Sequence, residues 1–136
     1  MPQMTADYQL RVFYEDTDAG GLVYHANYLK FFERARTEWL RKLSIEQSFF
    51  LEQNTGFVVT RVEMDNVAAA KLDDLLTVSS KITQLKRASM LFTQLITNEK
   101  NTLLCKVKVR VAHVNLAQAK PCAMPDIILG ALKSVI

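Results

Sequence analysis

Three carboxylates fall within four positions of this chain, Glu15, Asp16 and Asp18, and Gly20-Gly21 and Tyr24-His25 follow them. Like charges held that close raise one another's pKa, and burial raises it further. A carboxylate in that state can act as a general base or as a nucleophile. A hydrophobic helix is predicted to begin just after His25, and the first N–H groups of a helix have no partner inside it. With the helix dipole, those donors can stabilise a developing oxyanion. A carboxylate beside oxyanion donors is what acyl transfer or hydrolysis needs. The same residues also suit an ordinary turn, because Asp, Thr and Gly are common in loops. On the residues alone, both readings stand.

Other catalytic templates are absent. There is no GxSxG elbow for a serine hydrolase, no GxxxxGK[ST] phosphate loop and no GxGxxG dinucleotide fingerprint. The two histidines, His25 and His113, do not have zinc spacing. His113 sits in a strand pattern between Ala112 and Val114 and reads as a sheet residue with its hydrogen bonds satisfied. Cys105 and Cys122 read as free thiols, in keeping with a reducing compartment. No metal and no redox cofactor are required.

Bulk properties frame this. The 136 residues suit one domain, 1–136, large enough to bury a core without staples. The composition, 49% hydrophobic and 23% charged, is that of an ordinary globular protein. A net charge of +3 is compatible with an anionic ligand such as a nucleotide phosphate, and no interleaved basic and aromatic stripe argues for nucleic acid. No apolar run approaches a membrane span. The opening MPQMTADYQLRV lacks a basic head followed by an apolar block, so no leader is expected and the expected compartment is the cytoplasm.

The elements that must position the carboxylates follow from periodicity. YQLRVF, Tyr8–Phe13, reads as a first strand and Glu15–Gly21 as a loop. Tyr28–Leu43 is the clearest helix, with Tyr28, Phe31, Phe32, Ala35, Trp39, Leu40 and Leu43 on one wide stripe and Asn27 as its expected N-cap. Ser44–Gln53 reads as a shorter helix, with Ser44 as N-cap and Gln47 completing a capping box. Phe57–Val67, Leu76–Leu85, Met90–Thr97 and Leu103–Asn115 read as four strands, mostly antiparallel. Pro121 and Pro125 end the sheet, and Asp126–Val135 reads as a terminal helix. The expected fold is α+β, with an antiparallel sheet of about five strands wrapped on a long central helix.

The run YEDTDAGGLVYHANYLKFFERARTEWL closely resembles the signature of the hotdog-fold thioesterases of the 4-hydroxybenzoyl-CoA thioesterase type. Within that group it is most similar to the acyl-CoA thioesterases associated with the Tol-Pal envelope system (the YbgC family). The likeness extends from Leu10 through FVVTRVEMDNVAAAKLDDLLTVSSKITQLKRASMLFTQ to KPCAMP. The resemblance implies a hotdog fold and hydrolysis of an acyl-CoA. It makes Asp18, the second aspartate of DTD, the catalytic carboxylate, attacking directly or activating water. It assigns carbonyl polarisation to the backbone amide of His25 or an immediate neighbour. Tyr24 and His25 match the subgroup's aromatic-then-His pair, whose side chains shape the site or hold a water; His25 could equally cap the helix. Lys86 and Arg87, in the turn between the third and fourth strands, match the region that meets CoA phosphates in related enzymes, while Ala88 departs from the more basic turn of the hydroxybenzoyl enzyme. The family implies a homodimer with sites at the interface, or a homotetramer. Phe31, Phe32 and Phe57 are candidates to set acyl length. The competing expectation is an interaction module or acyl sensor that binds acyl carrier protein or lipid-synthesis enzymes. A hydratase reading fails for want of a helix-borne His paired with an acid.

Overall fold

The computed structural model describes residues 4–136; the first three, which open the segment read as free of a leader, lie outside it. Helix α1 spans Asn27–Lys42. Its buried residues, Tyr28, Phe31, Phe32, Ala35, Arg36, Trp39 and Leu40, recur at alternating intervals of three and one. That spacing puts them on one stripe, and burying the stripe is what the rest of the fold accomplishes. The sequence reading placed all of these in the stripe except Arg36.

The stripe is covered by a sheet of β1 (Ala6–Arg11), β2 (Thr55–Asn66), β3 (Leu75–Leu85), β4 (Ser89–Thr97) and β5 (Leu103–Asn115), in the order β1-β3-β4-β5-β2 with every neighbouring pair antiparallel. A two-residue strand, β6 (Lys120–Pro121), adds to β5. This is the hotdog architecture expected from the sequence. Along β3 and β4 burial alternates, so Leu76, Val78, Ser80 and Ile82 share the inner face with Met90, Phe92, Gln94 and Ile96. Register shifts at Val59/Arg61, Ile82/Gln84 and Ile96/Thr97 mark bulges, which add the twist that curls a sheet around a helix. Trp39 meets the edge of Phe92 at a centroid distance of 6.2 Å. Both cysteines are free; Cys105 is buried, and burial pushes its thiol up to about 11.

Two expected caps are corrected. Ala26, not Asn27, is the N-cap of α1, and no side chain caps it. The second helix, α2, is only Gln47–Glu52, with Glu46 at its N-cap and no capping box. Ser44 belongs to the end of α1 instead. Its φ is 63°, the Ile45 N–H donates to the Leu40 carbonyl, and its own N–H donates to Arg41 O. That pattern is a Schellman motif, in which a left-handed residue closes the helix and the next apolar residue, here buried Ile45, seals it. Gln47 donates from Nε2 to Thr37 Oγ1 at 3.3 Å rather than boxing a helix start. The terminal helix α3 covers Asp126–Lys133 behind Pro125 and buries Leu129 and Leu132.

Because Ser44 holds a left-handed conformation that costs a side-chain-bearing residue about 1 kcal/mol, Ser44→Gly should raise the urea-unfolding free energy by roughly 0.5–1 kcal/mol. An unchanged or lowered midpoint contradicts this account of the helix end.

Candidate active site

The carboxylate segment folds as a hairpin that leads into α1. Tyr14–Asp16 is a single 3-10 turn. An antiparallel bridge joins Thr17 to Val23, and Asp18 N–H donates to Leu22 O at 2.8 Å. The turn between them needs Gly21, whose φ is +76°.

The three carboxylates do not act as one cluster. Asp16 is 8% exposed, and its Oδ2 accepts the Phe13 N–H at 2.8 Å, so it holds the turn together. Glu15 is exposed. Asp18 is also exposed, so this chain alone does not supply the burial expected for it. One of its oxygens, Oδ1, accepts the N–H groups of Gly20 (2.9 Å) and Leu22 (3.2 Å). Its other oxygen makes no hydrogen bond among the described residues. The carboxylate is therefore fixed by one oxygen and open at the other.

The second arm of the hairpin carries the amides. Val23 N–H donates to Ala70 O, Tyr24 N–H to Asp16 O, Asn27 N–H to Tyr24 O and Tyr28 N–H to His25 O. Among the described residues, the His25 and Ala26 amides alone in this run have no acceptor. A Ser, Asp or Asn cap would accept such an N–H, and this helix start has no side-chain cap. The first turn of α1 has no acidic residue and the last has Arg41 and Lys42, so the helix dipole is left unneutralised at its start. Asn27 ties the two arms together, donating from Nδ2 to Asp16 O at 2.8 Å.

Tyr24 and His25 are exposed, with their rings 4.6 Å apart and tilted by 46°. His25 does not cap the helix. It borders an open trough of about 330 Å³ with Val23, Tyr28 and residues 66–69. Lys86 and Arg87 are exposed at the β3–β4 turn, as expected. That turn lies at the far end of β3 from the hairpin, which bridges to Lys71 through Leu22. Eleven strand residues separate the two ends, roughly 30 Å along the strand. Within one chain they do not meet Asp18.

A model of the thioesterase-like superfamily matches residues 12–132 of this sequence. The chain belongs to the thioesterase-like superfamily. It is 51% identical over 126 residues, 91% of either chain, to the acyl-CoA thioesterase YbgC of Haemophilus influenzae. It is 44% identical over 124 residues to the acyl-CoA thioester hydrolase YbgC of Escherichia coli O6:H1, covering 91% of this chain and 92% of that one. Among solved structures, a probable thioesterase from Bartonella henselae superposes with a TM-score of 0.82 at 36% identity, over 89% of this chain and 99% of the other.

Several features of this thioesterase-like site escaped the sequence reading. Phe31 and Phe32 are fully buried core residues, while Phe57, the third candidate length-setting phenylalanine, borders a cavity. His113 is buried in the sheet but half satisfied: Nδ1 lies 3.0 Å from the Cys122 carbonyl oxygen, and Nε2 has no partner among the described residues. Tyr28 is more than a stripe residue. Its hydroxyl accepts the N–H of buried Ala70 at 2.9 Å, while Ala70 O accepts from Val23, so residues 66–70 are pinned to the helix start. Burial raises the Tyr28 phenol above its usual pKa, so it stays neutral at physiological pH. Among the described residues no helix is long and apolar enough to cross a membrane, and no three or more His, Cys, Asp or Glu side chains converge as a metal site would need.

Removing the acceptor for a buried N–H leaves that donor desolvated, at a cost of about 1–3 kcal/mol. Tyr28→Phe should therefore lower unfolding stability by that amount and speed amide exchange at Ala70. Wild-type exchange at Ala70 in the variant would show that the pin does not hold.

Proposed function

We propose that this chain hydrolyses acyl-CoA thioesters with Asp18 as its catalytic carboxylate and the amides of His25 and Ala26 as its oxyanion donors. Thioesterase activity as a class rests on membership of the superfamily and on relatives at 51% and 44% identity that carry that activity in their names. The observation that carries the finer assignment is the pairing, within one hairpin and helix start, of a carboxylate oxygen without a partner and two backbone donors without acceptors.

The thioester carbonyl oxygen would sit on the two amides. Preorganised donors of this kind favour the tetrahedral oxyanion over the ground state, and loss of one typically costs about 100- to 1,000-fold in turnover. Asp18 then acts by one of two routes. It can attack the carbonyl carbon, expelling CoA thiolate, which takes up a proton, and leaving a mixed anhydride that water opens. It can instead take a proton from a water that attacks the carbonyl. Both routes end in a free acid and CoA, and both need the open oxygen of Asp18. Tyr24 and His25, in tilted ring contact and exposed at the hairpin, are placed to flank the acyl-CoA.

This reading includes one catalytic domain per chain, in the cytoplasm, within the Tol-Pal-associated subgroup. A second copy is part of it. Strand β2 ends the sheet order, so among the described residues its outer edge is unpaired along twelve residues that expose Val58, Val59 and Val62. A long unpaired edge is a template for another strand. Edge-to-edge pairing into a dimer, or a dimer of dimers, would cover it. It would also let Lys86 and Arg87 of one copy reach CoA phosphates at the other copy's Asp18. An acyl carrier protein is an alternative thioester donor or partner: Lys106, Lys108 and Arg110 alternate outward along β5, although Glu63 and Asp65 face the two lysines across β2.

Asp18→Asn keeps an acceptor for Gly20 and Leu22 but removes the base or nucleophile. It should lower acyl-CoA-dependent thiol release by roughly 100- to 10,000-fold with the thermal midpoint nearly unchanged. Wild-type turnover in the variant would sink the assignment. Saturable acyl-CoA binding with no thiol release from the unmodified protein would favour the binding-module reading. Lys86→Ala with Arg87→Ala should raise KM for acyl-CoA several-fold and leave kcat close to wild type. No change in KM would place the phosphates elsewhere.

A further inference from the structure

Arg36 is a charged residue in the core. It is 7% exposed, on the stripe of α1 that packs against the sheet. Its Nη1 donates to Gln94 Oε1 at 2.9 Å, and Gln94 Nε2 donates in turn to Phe32 O (3.0 Å) and Ser80 Oγ (2.9 Å). The guanidinium lies over the Phe92 ring, with Cζ 5.8 Å from its centroid. Among the described residues no carboxylate lies within 4 Å of it. Taking an unpaired cation out of water costs several kcal/mol, and Gln94 is only a neutral partner. Burial pulls the group down to about 10, so it remains a cation at neutral pH.

Arg36 opens into a slot of about 100 Å³ between α1 and the inner face of the sheet, walled by Phe57, Val59, Met90, Phe92 and Val111. None of its nitrogens is both sealed from the surface and without a partner. A guanidinium has five N–H donors; those that Gln94 does not use keep some exposure, on a residue that lines the slot. Glu33 stands at the slot's mouth, exposed. The slot is far smaller than the roughly 300–1,000 Å³ of a pocket that holds a whole ligand, so it suits the end of one. A helix face leads to it from the active site: Ala26, Leu29, Glu33 and Arg36 recur at intervals of three and four along α1. Ten residues separate Ala26 from Arg36, about 15 Å along the helix.

We propose that this slot is the distal acyl subsite and that Arg36 selects acyl groups bearing an oxygen acceptor, a carboxylate or a hydroxyl, at their far end. The inference rests on the thioester carbonyl lying at the His25 and Ala26 amides. An acyl chain would run from there along Leu29 and Glu33, and its terminal oxygen would accept from the guanidinium. A methyl end would leave those donors desolvated and unpaired. A hydrogen bond to a charged group contributes about 1.5–3 kcal/mol, so the preference should be about tenfold or more.

The test compares straight-chain acyl-CoAs with their ω-hydroxy and ω-carboxy counterparts across chain lengths, by kcat/KM for thiol release. The same series is run by equilibrium binding to the Asp18→Asn protein, which reads the subsite without turnover. The wild type should prefer one or both oxygenated ends by about tenfold over a narrow range of lengths. Arg36→Met should bring that ratio to about one. So should Gln94→Glu, which gives Arg36 a carboxylate of its own at the same side-chain length, gives up the donation to Phe32 O and leaves Ser80 Oγ to turn from acceptor to donor. Hydrolysis with no preference at any length overturns the subsite and leaves the role of Asp18 standing. A preference in binding without hydrolysis would do the reverse. Equal loss for methyl-ended and oxygenated chains in both variants, with the ratio unchanged, would make Arg36 a structural residue only and overturn the proposal.

Discussion

A helix with no side-chain cap has to hold its first turn in place by other means, and the rest of this site depends on how α1 does so. Asn27 reaches back to Asp16 O, Tyr24 N–H donates to the same carbonyl, and Tyr28 pins Ala70 from the other side. Asp16 spends its carboxylate on the backbone of its own turn. Every one of these bonds fixes the hairpin and the helix start, and none uses the amides of His25 or Ala26. A capping Ser or Asp at position 26 would stabilise the helix by about 1 kcal/mol, and it would do so by occupying a donor that the proposed chemistry uses. The order of the region is supplied by neighbours so that its donors stay open.

That arrangement holds only if α1 itself cannot move, and the core sees to this. Phe31 and Phe32 are sealed against the inner face of β3 and β4, and Trp39 and Leu40 anchor the second half of the helix. A well-packed stripe leaves little room for the helix to slide, because interiors are close-packed. Arg36 is the exception on that stripe. An aliphatic residue there would pack without a desolvation cost. The guanidinium is kept in place by a chain of hydrogen bonds through Gln94 to Ser80 and the Phe32 carbonyl, which link α1 to β3 and β4. The polar network and the slot are thus one feature, and in the proposed reading the helix whose start would hold the carbonyl also carries the residue that would meet the far end of the acyl chain.

Much of this was legible in the sequence. Strand periodicity placed β3, β4 and β5 to within a residue or so, and the bulky stripe located α1, because burial on one face imposes a period that local sequence carries. Caps were less legible. Asn27 and Ser44 both have the residue type of an N-cap, yet one is inside the helix bonding sideways to Asp16 and the other closes the helix before it. Cap preference is a local tendency of about 1 kcal/mol, and tertiary bonds of similar size reversed it. The carboxylates show the same limit. Composition put Glu15, Asp16 and Asp18 together, and only backbone geometry assigns Asp16 to structure and leaves an oxygen of Asp18 open. Arg36 was passed over because it stands among Glu33, Arg34 and Glu38, and an arginine in a run so rich in charge reads as surface. Its position was informative: it sits four residues after Phe32 and three before Trp39, on the buried side of the wheel.

The remaining gap between the site and its substrate is one of enclosure. Asp18, Tyr24 and His25 are exposed, the trough beside His25 is open, and Phe13, Tyr14 and Leu22 add apolar surface on the same hairpin. A site that must stabilise an oxyanion works best out of water, where each donor interacts more strongly. Among the described residues no element lies over that surface to exclude water. The unpaired edge of β2 runs from the slot at Phe57 and Val59 to the trough at residues 66–69, so whatever pairs with that edge passes both ends of the acyl path at once. A second copy docked there would carry the basic β3–β4 turn that a single chain keeps some 30 Å from its own carboxylate. On the proposed dimer the enclosure, the phosphate contacts and the unpaired edge would all be met by one event, assembly, and the open carboxylate of one chain would be half of a site that a second copy completes.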